Sequence, residues 1–156
     1  MTFERWLVLQ KLYNDYASSL DDGPLSDWPD FFTEKCLYLI QPRDNYDAGL
    51  PMAVVRCESR GMLQDRVNAV QETIMFEPRY LRHHITNIEA DDASSDEFQV
   101  RANYSVIEVL NDDLPRILSA GRYLDRVVLE NGLLRFKEKR VIYDSVLVPN
   151  SLIYPL

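Results

Sequence analysis

Apolar residues recur at steps of three and four from the start of the chain. Phe3, Trp6, Leu9, Tyr13, Tyr16 and Leu20 form one stripe, which predicts a helix of about 18 residues. Asp21-Asp22-Gly23-Pro24 ends it, because Gly tolerates the left-handed cap and Pro cannot continue the hydrogen-bond ladder. Ser26 is a candidate N-cap for a short second helix over residues 27–31, with Trp28 and Phe31 or Phe32 facing inward. Cys36–Ile40 is predicted as the first strand, stopped by Pro42. The polar stretch Arg43–Pro51 predicts an exposed loop, and apolar, partly β-branched Met52–Cys57 a second strand. Leu63, Val67, Val70 and Ile74 restore the helical spacing in a segment closed by Pro78.

The period then changes to two. Arg82–Ile88 opens a sheet, and Phe98, Val100, Ala102, Tyr104 and Val106 alternate with polar neighbours as in a half-buried strand. Arg116–Glu130 is a long strand, and Asn131-Gly132 is a two-residue hairpin signal. On the returning strand, Leu134, Phe136 and Glu138 share one face, with Arg135, Lys137 and Lys139 on the other. Helices followed by an antiparallel meander predict an α+β fold with the helices on one face of a bent sheet. A length of 156 residues predicts one domain, residues 1–156.

Charge and motifs narrow the function. Seventeen basic against 25 acidic residues give a net charge of −8, the wrong sign for replacing counterions on nucleic acid. No apolar run approaches the roughly 20 residues of a membrane helix, and the amino terminus has no signal-peptide pattern, so the expected location is cytoplasmic. There is no G-x-G-x-x-G, phosphate loop or G-x-S-x-G elbow. Cys36 and Cys57 lack the Cys-x-His and Cys-x-x-His pairing of a Rieske centre and read as small buried hydrophobes. The two histidines, His83 and His84, are neighbours, and on a strand they point to opposite faces, which disfavours a shared metal. One of them facing a pocket is a candidate acid or base; the plainer reading packs one and exposes the other. Asp15, Asp27 and Asp30 are weaker carboxylate candidates, and Asp27 equally suits a helix first turn. Tyr13, Tyr16, Tyr38 and Tyr104 line a cavity or, more commonly, fill a core with polar tips. Arg82, Arg122, Arg126, Arg135, Lys137, Lys139 and Arg140 make the later strands basic, as expected for edge protection on solvent faces or for contact with an acidic partner.

Several ordered segments carry a resemblance. Trp28-Pro29-Asp30-Phe31-Phe32 through Cys36-Leu37-Tyr38, Asp65-Arg66, Arg79 through Arg82-His83-His84 to Thr86-Asn87, and Lys139-Arg140 through Asp144 resemble the small (β) subunits of aromatic-ring-hydroxylating dioxygenases, as does the closing Ser151–Leu156. The resemblance implies a cone-shaped curved sheet with helices in its concavity, the cystatin-like fold also seen in nuclear transport factor 2, ketosteroid isomerase, scytalone dehydratase and SnoaL-like proteins. It implies an assembly of three large and three small subunits, in which the large subunit carries a Rieske [2Fe-2S] cluster, mononuclear Fe(II) and the substrate pocket. NADH electrons then arrive through a reductase, sometimes with a ferredoxin. It implies no catalytic, cofactor-binding or metal-binding residue in this chain, and an aromatic carboxylate such as salicylate or terephthalate as substrate. The competing readings are a free-standing cone-fold dehydratase or isomerase using Asp27 or His84 with pocket tyrosines, and a small-molecule binding module.

Overall fold

The computed structural model describes residues 2–72, 78–147 and 152–156. Helix α1 spans Phe3–Asp22. Thr2 caps it by accepting the Arg5 amide at 3.3 Å. Gly23, at φ 75°, ends it and returns its N–H to the Ser19 carbonyl. From Leu9 onward the apolar stripe is buried, but Phe3, Leu7 and Val8 remain exposed, so the first turns of the helix contribute little to the core. A 3-10 helix, Leu25–Phe31, follows. It starts directly after Pro24 and has no side-chain cap, so Ser26 lies inside the helix rather than capping it. Trp28 and Phe32 are fully buried.

Six strands form one sheet in the order β2-β1-β6-β5-β4-β3. They are β1 Phe32–Pro42, β2 Val55–Cys57, β3 Arg79–Asp92, β4 Glu97–Leu110, β5 Arg116–Glu130 and β6 Leu133–Tyr143. Every neighbouring pair is antiparallel except β1 and β6, which run parallel. Residues 43–51, expected as an exposed loop, begin with the short helix α2, Arg43–Asp47. Pro42 fixes its entry and Asp44 lies in its first turn, where a carboxylate complements the helix dipole. The second strand is shorter than expected, because Met52 and Val54 are exposed and ladder pairing starts at Val55. Helix α3, Arg60–Glu72, buries Leu63, Val67 and Val70; the predicted position Ile74 lies outside the described residues.

Register shifts bend the sheet. They fall between Phe32 and Leu37 on β1, between Thr86 and Glu89 on β3, where Asn87 has φ 52°, and between Val106 and Ile107 on β4. The shift between β5 and β6 matters most. Arg126 pairs with Glu138 but Val127 pairs with Phe136, so Lys137 is an extra residue on β6. Because side chains alternate at period two, this one residue reverses which set points inward. Before it Phe136 faces the core; after it Lys139, Val141 and Tyr143 do. The expected outward-facing Lys139 is therefore fully buried, and Glu138 is turned away from the core.

β5 and β6 approach too closely at one point for any side chain but that of glycine. A Cβ on Gly121 would stand 2.0 Å from the Ile142 carbonyl oxygen and 2.9 Å from the Tyr143 Cα. Both are backbone atoms of a paired strand and cannot swing aside. Gly121→Ala is expected to lower the unfolding free energy by about 1–3 kcal/mol, the usual cost of overpacking, measured by urea denaturation; an unchanged midpoint would contradict this packing.

Candidate functional site

The concave face of the sheet carries Tyr104 on β4, Ser119, Tyr123 and Asp125 on β5, and Phe136 and Lys139 on β6, all buried. Helix α1 lays Tyr13 and Tyr16 over them, and Tyr38 of β1 closes one side, both Tyr13 and Tyr16 being essentially unexposed. At the centre Lys139 Nζ donates to Asp125 Oδ2 at 2.9 Å, and the Tyr13 hydroxyl donates to the same oxygen at 2.6 Å. The ammonium is otherwise walled by aromatic faces. The Tyr123 centroid is 3.4 Å away, Phe136 4.5 Å, Tyr16 4.7 Å and Tyr13 5.2 Å. A cation desolvated against ring faces gains about 2 kcal/mol per favourable contact, which offsets part of its burial. Burial raises the Asp125 carboxyl and lowers the Lys139 ammonium from their ordinary values, and in each case the partner's charge opposes the shift.

The rings continue this packing. Tyr104 and Tyr123 stack at 4.6 Å with 3° between planes, and the Tyr104 hydroxyl meets Ser119 Oγ at 2.9 Å. Tyr16 receives the Trp28 indole N–H at 3.4 Å. The tyrosines singled out from the sequence thus fill a core with polar tips.

A second polar cluster pins the end of α1 to the edge strand β3. Asp21 accepts the His83 backbone N–H at 2.9 Å, and its other oxygen lies 2.6 Å from His83 Nδ1. The carboxylate fixes the proton on Nδ1 and satisfies an edge-strand amide that the ladder leaves free. Asp22 adds an ion pair to Arg82 at 3.0 Å. His83 faces inward and is buried, whereas His84 points outward and is exposed, so the pair diverges.

The other sequence candidates do not converge with these groups. Asp15, Asp27 and Asp30 are all exposed, and Asp15 pairs with Lys11 at 2.6 Å. Cys36 and Cys57 are free, buried thiols on adjacent strands, and burial pushes the Cys36 thiol up to about 11. Of the basic residues assigned to edge protection, only Arg82 lies on an edge strand; Arg122 and Arg126 are on β5, and Arg135, Lys137 and Arg140 on β6 are within the sheet. Arg126 and Lys137 instead hold Glu97 across the strands and keep its carboxyl below the ordinary range. The Asp125–Lys139 pair escaped the sequence reading altogether. One signal was present: Asp125 sits between Tyr123 and Val127 in the inward phase of β5. Lys139 gave none, because the extra residue on β6 reverses its phase.

The architecture is that of an α+β protein with a curved six-stranded sheet and helices in its hollow. A protein from Nostoc punctiforme with a cystatin-like fold superposes with a TM-score of 0.67 at 18% identity, a likeness of fold alone. The model of the ring hydroxylating beta subunit family matches residues 16–150, and the chain belongs to that family. It is 35% identical to the anthranilate 1,2-dioxygenase small subunit of Burkholderia cepacia, over 97% of this chain and 94% of the relative. A terephthalate 1,2-dioxygenase terminal oxygenase component subunit beta 2 from Comamonas is 29% identical over 90% of this chain and 92% of its own. A solved beta-subunit structure from Novosphingobium aromaticivorans, assigned to the aromatic-ring-hydroxylating dioxygenases, has 35% identity and a TM-score of 0.86, covering 96% of this chain and 95% of that one.

The buried phenols give the fold a sharp alkaline limit. Burial raises Tyr13, Tyr16, Tyr38, Tyr104 and Tyr123 above the ordinary phenol value. A raised folded-state pKa means the unfolded chain releases protons first. The stability these groups supply is complete below about pH 10 and is lost as pH rises beyond it. In a spectrophotometric titration these five tyrosines are expected to ionise together, in the same step as the loss of near-ultraviolet circular dichroism. Smooth ionisation of all nine tyrosines in an intact fold would contradict this interior.

Proposed function

We propose that this chain is a non-catalytic structural small subunit of a multicomponent oxygenase that hydroxylates an aromatic carboxylate, the class to which anthranilate and terephthalate belong. In this reading residues 1–156 act as one cytoplasmic domain. A large oxygenase subunit holds the Rieske cluster, the mononuclear iron and the substrate, in an assembly of three large and three small subunits. Electrons from NADH reach it through a reductase. No residue of this chain is assigned to catalysis, to a cofactor or to a metal.

The observation that carries the reading is the filled hollow. The concave face that would have to open toward a substrate is occupied by the chain's own rings, centred on the Lys139–Asp125 pair. The donor set also fits neither iron site. A Rieske centre takes two Cys and two His, and a mononuclear site takes two His and a carboxylate on one side. Here His83 and His84 face opposite ways, and among the described residues no three His, Cys, Asp or Glu side chains group to hold a metal. The sequence relationship to small subunits of dioxygenases for aromatic carboxylates supports the substrate class.

The test is turnover per iron site in the purified complex. Asp27→Asn and His84→Ala alter exposed side chains, and His83→Ala removes the ring held by Asp21. Each is expected to stay within roughly threefold of the parent complex in turnover per iron. His83→Ala is expected to cost about 1–3 kcal/mol of subunit stability and to lower the yield of complex. A general acid or base contributes about 10²–10⁴-fold, so a hundredfold loss at unchanged iron content and subunit ratio would return catalysis to this chain.

A further inference from the structure

Strand β1 shows two different faces. Tyr38 and Ile40 join the core in the hollow, so Leu37, Leu39 and Gln41 lie on the opposite, convex face. There Leu39 pairs with Arg56 of β2 on one side and with Arg140 of β6 on the other. Paired residues share a face, so two arginines flank a leucine across three strands spaced about 5 Å apart. Helix α2 packs over β1 and β6 and brings Tyr46 to the same place. Leu37, Leu39, Gln41, Tyr46, Arg56 and Arg140 line a cavity of about 280 Å³, with residues 49–51 at its rim.

The cavity is preformed. Arg122 holds α2 by meeting Asp47 at 3.2 Å and lying 5.6 Å from the Tyr46 ring centroid, and Arg43 donates to Asp144 at 3.1 Å. The rim is fixed by two backbone bonds of 2.8 Å, from the Leu50 N–H to the Asn45 carbonyl and from the Val54 N–H to the Ile40 carbonyl. The cavity also carries polar groups that the chain does not use. Gln41 is 3% exposed, and its Oε1 is buried without a hydrogen-bond partner among the described residues. Native folds seldom strand such an acceptor, and a donor bound in the cavity would satisfy it. Arg140 meets Glu138 through Nε, and its two terminal nitrogens make no hydrogen bond among the described residues. Arg56 is engaged by Glu58 and serves as the far wall.

We propose that this convex-face cavity binds a single-ring aromatic acid that carries an amino or hydroxyl group at the far end of the ring. The carboxylate takes the terminal nitrogens of Arg140 in a charge-assisted pair. The ring lies against Leu39 and Tyr46, and the amino or hydroxyl hydrogen goes to Gln41 Oε1. Arg140 and Gln41 are diagonal neighbours on adjacent strands, about 7–8 Å apart, so the acid and the donor belong at opposite ends of the ligand. The volume lies just below the usual range for small-molecule sites, about 300–1,000 Å³, and suits one ring rather than two. The site faces away from the hollow, so a ligand there leaves the Lys139–Asp125 core undisturbed. The inference stands on the cavity and does not depend on the structural reading of the chain.

The experiment titrates the full chain with 4-aminobenzoate by calorimetry and by NMR. One equivalent is expected to bind with a Kd below about 1 mM, a modest affinity for a ligand of this size. Benzoate lacks the far donor and is expected to bind about fivefold more weakly, the worth of one hydrogen bond. Gln41→Leu removes the acceptor at similar volume and is expected to bring the two acids to equal affinity. Arg140→Gln is expected to weaken both by about tenfold or more, the worth of a charged hydrogen bond. In the parent chain the amide shifts are expected to centre on Leu39, Tyr46 and Arg56, a readout that needs no variant to fold. No saturable binding, equal affinity of the parent for the two acids, or shifts centred elsewhere would overturn the proposal. Folded variants that bind both acids as the parent does would overturn it too. None of these measurements involves a large subunit, so their failure would leave the structural reading standing.

Discussion

The rest of the structure depends on one buried charge pair, Lys139 with Asp125, set in an aromatic box. Both side chains are wholly removed from water. Taking two charges out of water costs several kcal/mol each, and their attraction repays this only when the geometry is good and the remaining donors are satisfied. Here the Tyr13 hydroxyl donates to the same Asp125 oxygen as Lys139 and four ring faces surround the ammonium, while the other carboxylate oxygen is buried without a hydrogen-bond partner among the described residues. The pair links β5 to β6, and Tyr13 ties both to α1. Leaving either charge alone would cost about 3–5 kcal/mol, a large part of the stability of an ordinary domain.

That cost gives the pair a role in register. A slip of β6 by one residue would exchange Lys139 for a neighbour and bury an unmatched Asp125. Arg140 and Glu138 flank Lys139, and neither can meet Asp125 inside four ring faces: one is too large and the other has the wrong sign. The extra residue Lys137 and the absent side chain of Gly121 are the backbone devices that make the correct register reachable. The same arrangement fills the hollow, and this supports the function proposed for the chain. Interior space that a cone-fold enzyme would need for substrate is committed here to holding helix and sheet together.

Much of this was legible in the sequence because side-chain periodicity responds to a simple constraint, one buried face per element. The α1 stripe from Leu9 to Leu20 and the alternation of β4 are clear for that reason, and the divergence of His83 and His84 follows from strand geometry alone. What was not legible depends on contacts distant in the chain. Phe3 satisfies the helical spacing but stays exposed. Arg43–Asp47 has no apolar stripe, yet forms a helical turn with Pro42 as its N-cap. Lys139 reads as a solvent-facing residue until the extra residue on β6 is known, and that extra residue exists only in the pairing with β5. The Asp21 clamp on β3 joins residues 62 positions apart, and no local pattern announces it.

The central claim is that this chain contributes a scaffold to a larger oxygenase and leaves the chemistry to its partner. Sedimentation velocity on the chain co-expressed with an iron-carrying large oxygenase subunit tests it most directly. The account predicts one fast-sedimenting species that contains both chains in equal numbers and leaves little of either free. A chain that sediments as a stable monomer beside a fully active large subunit would contradict it.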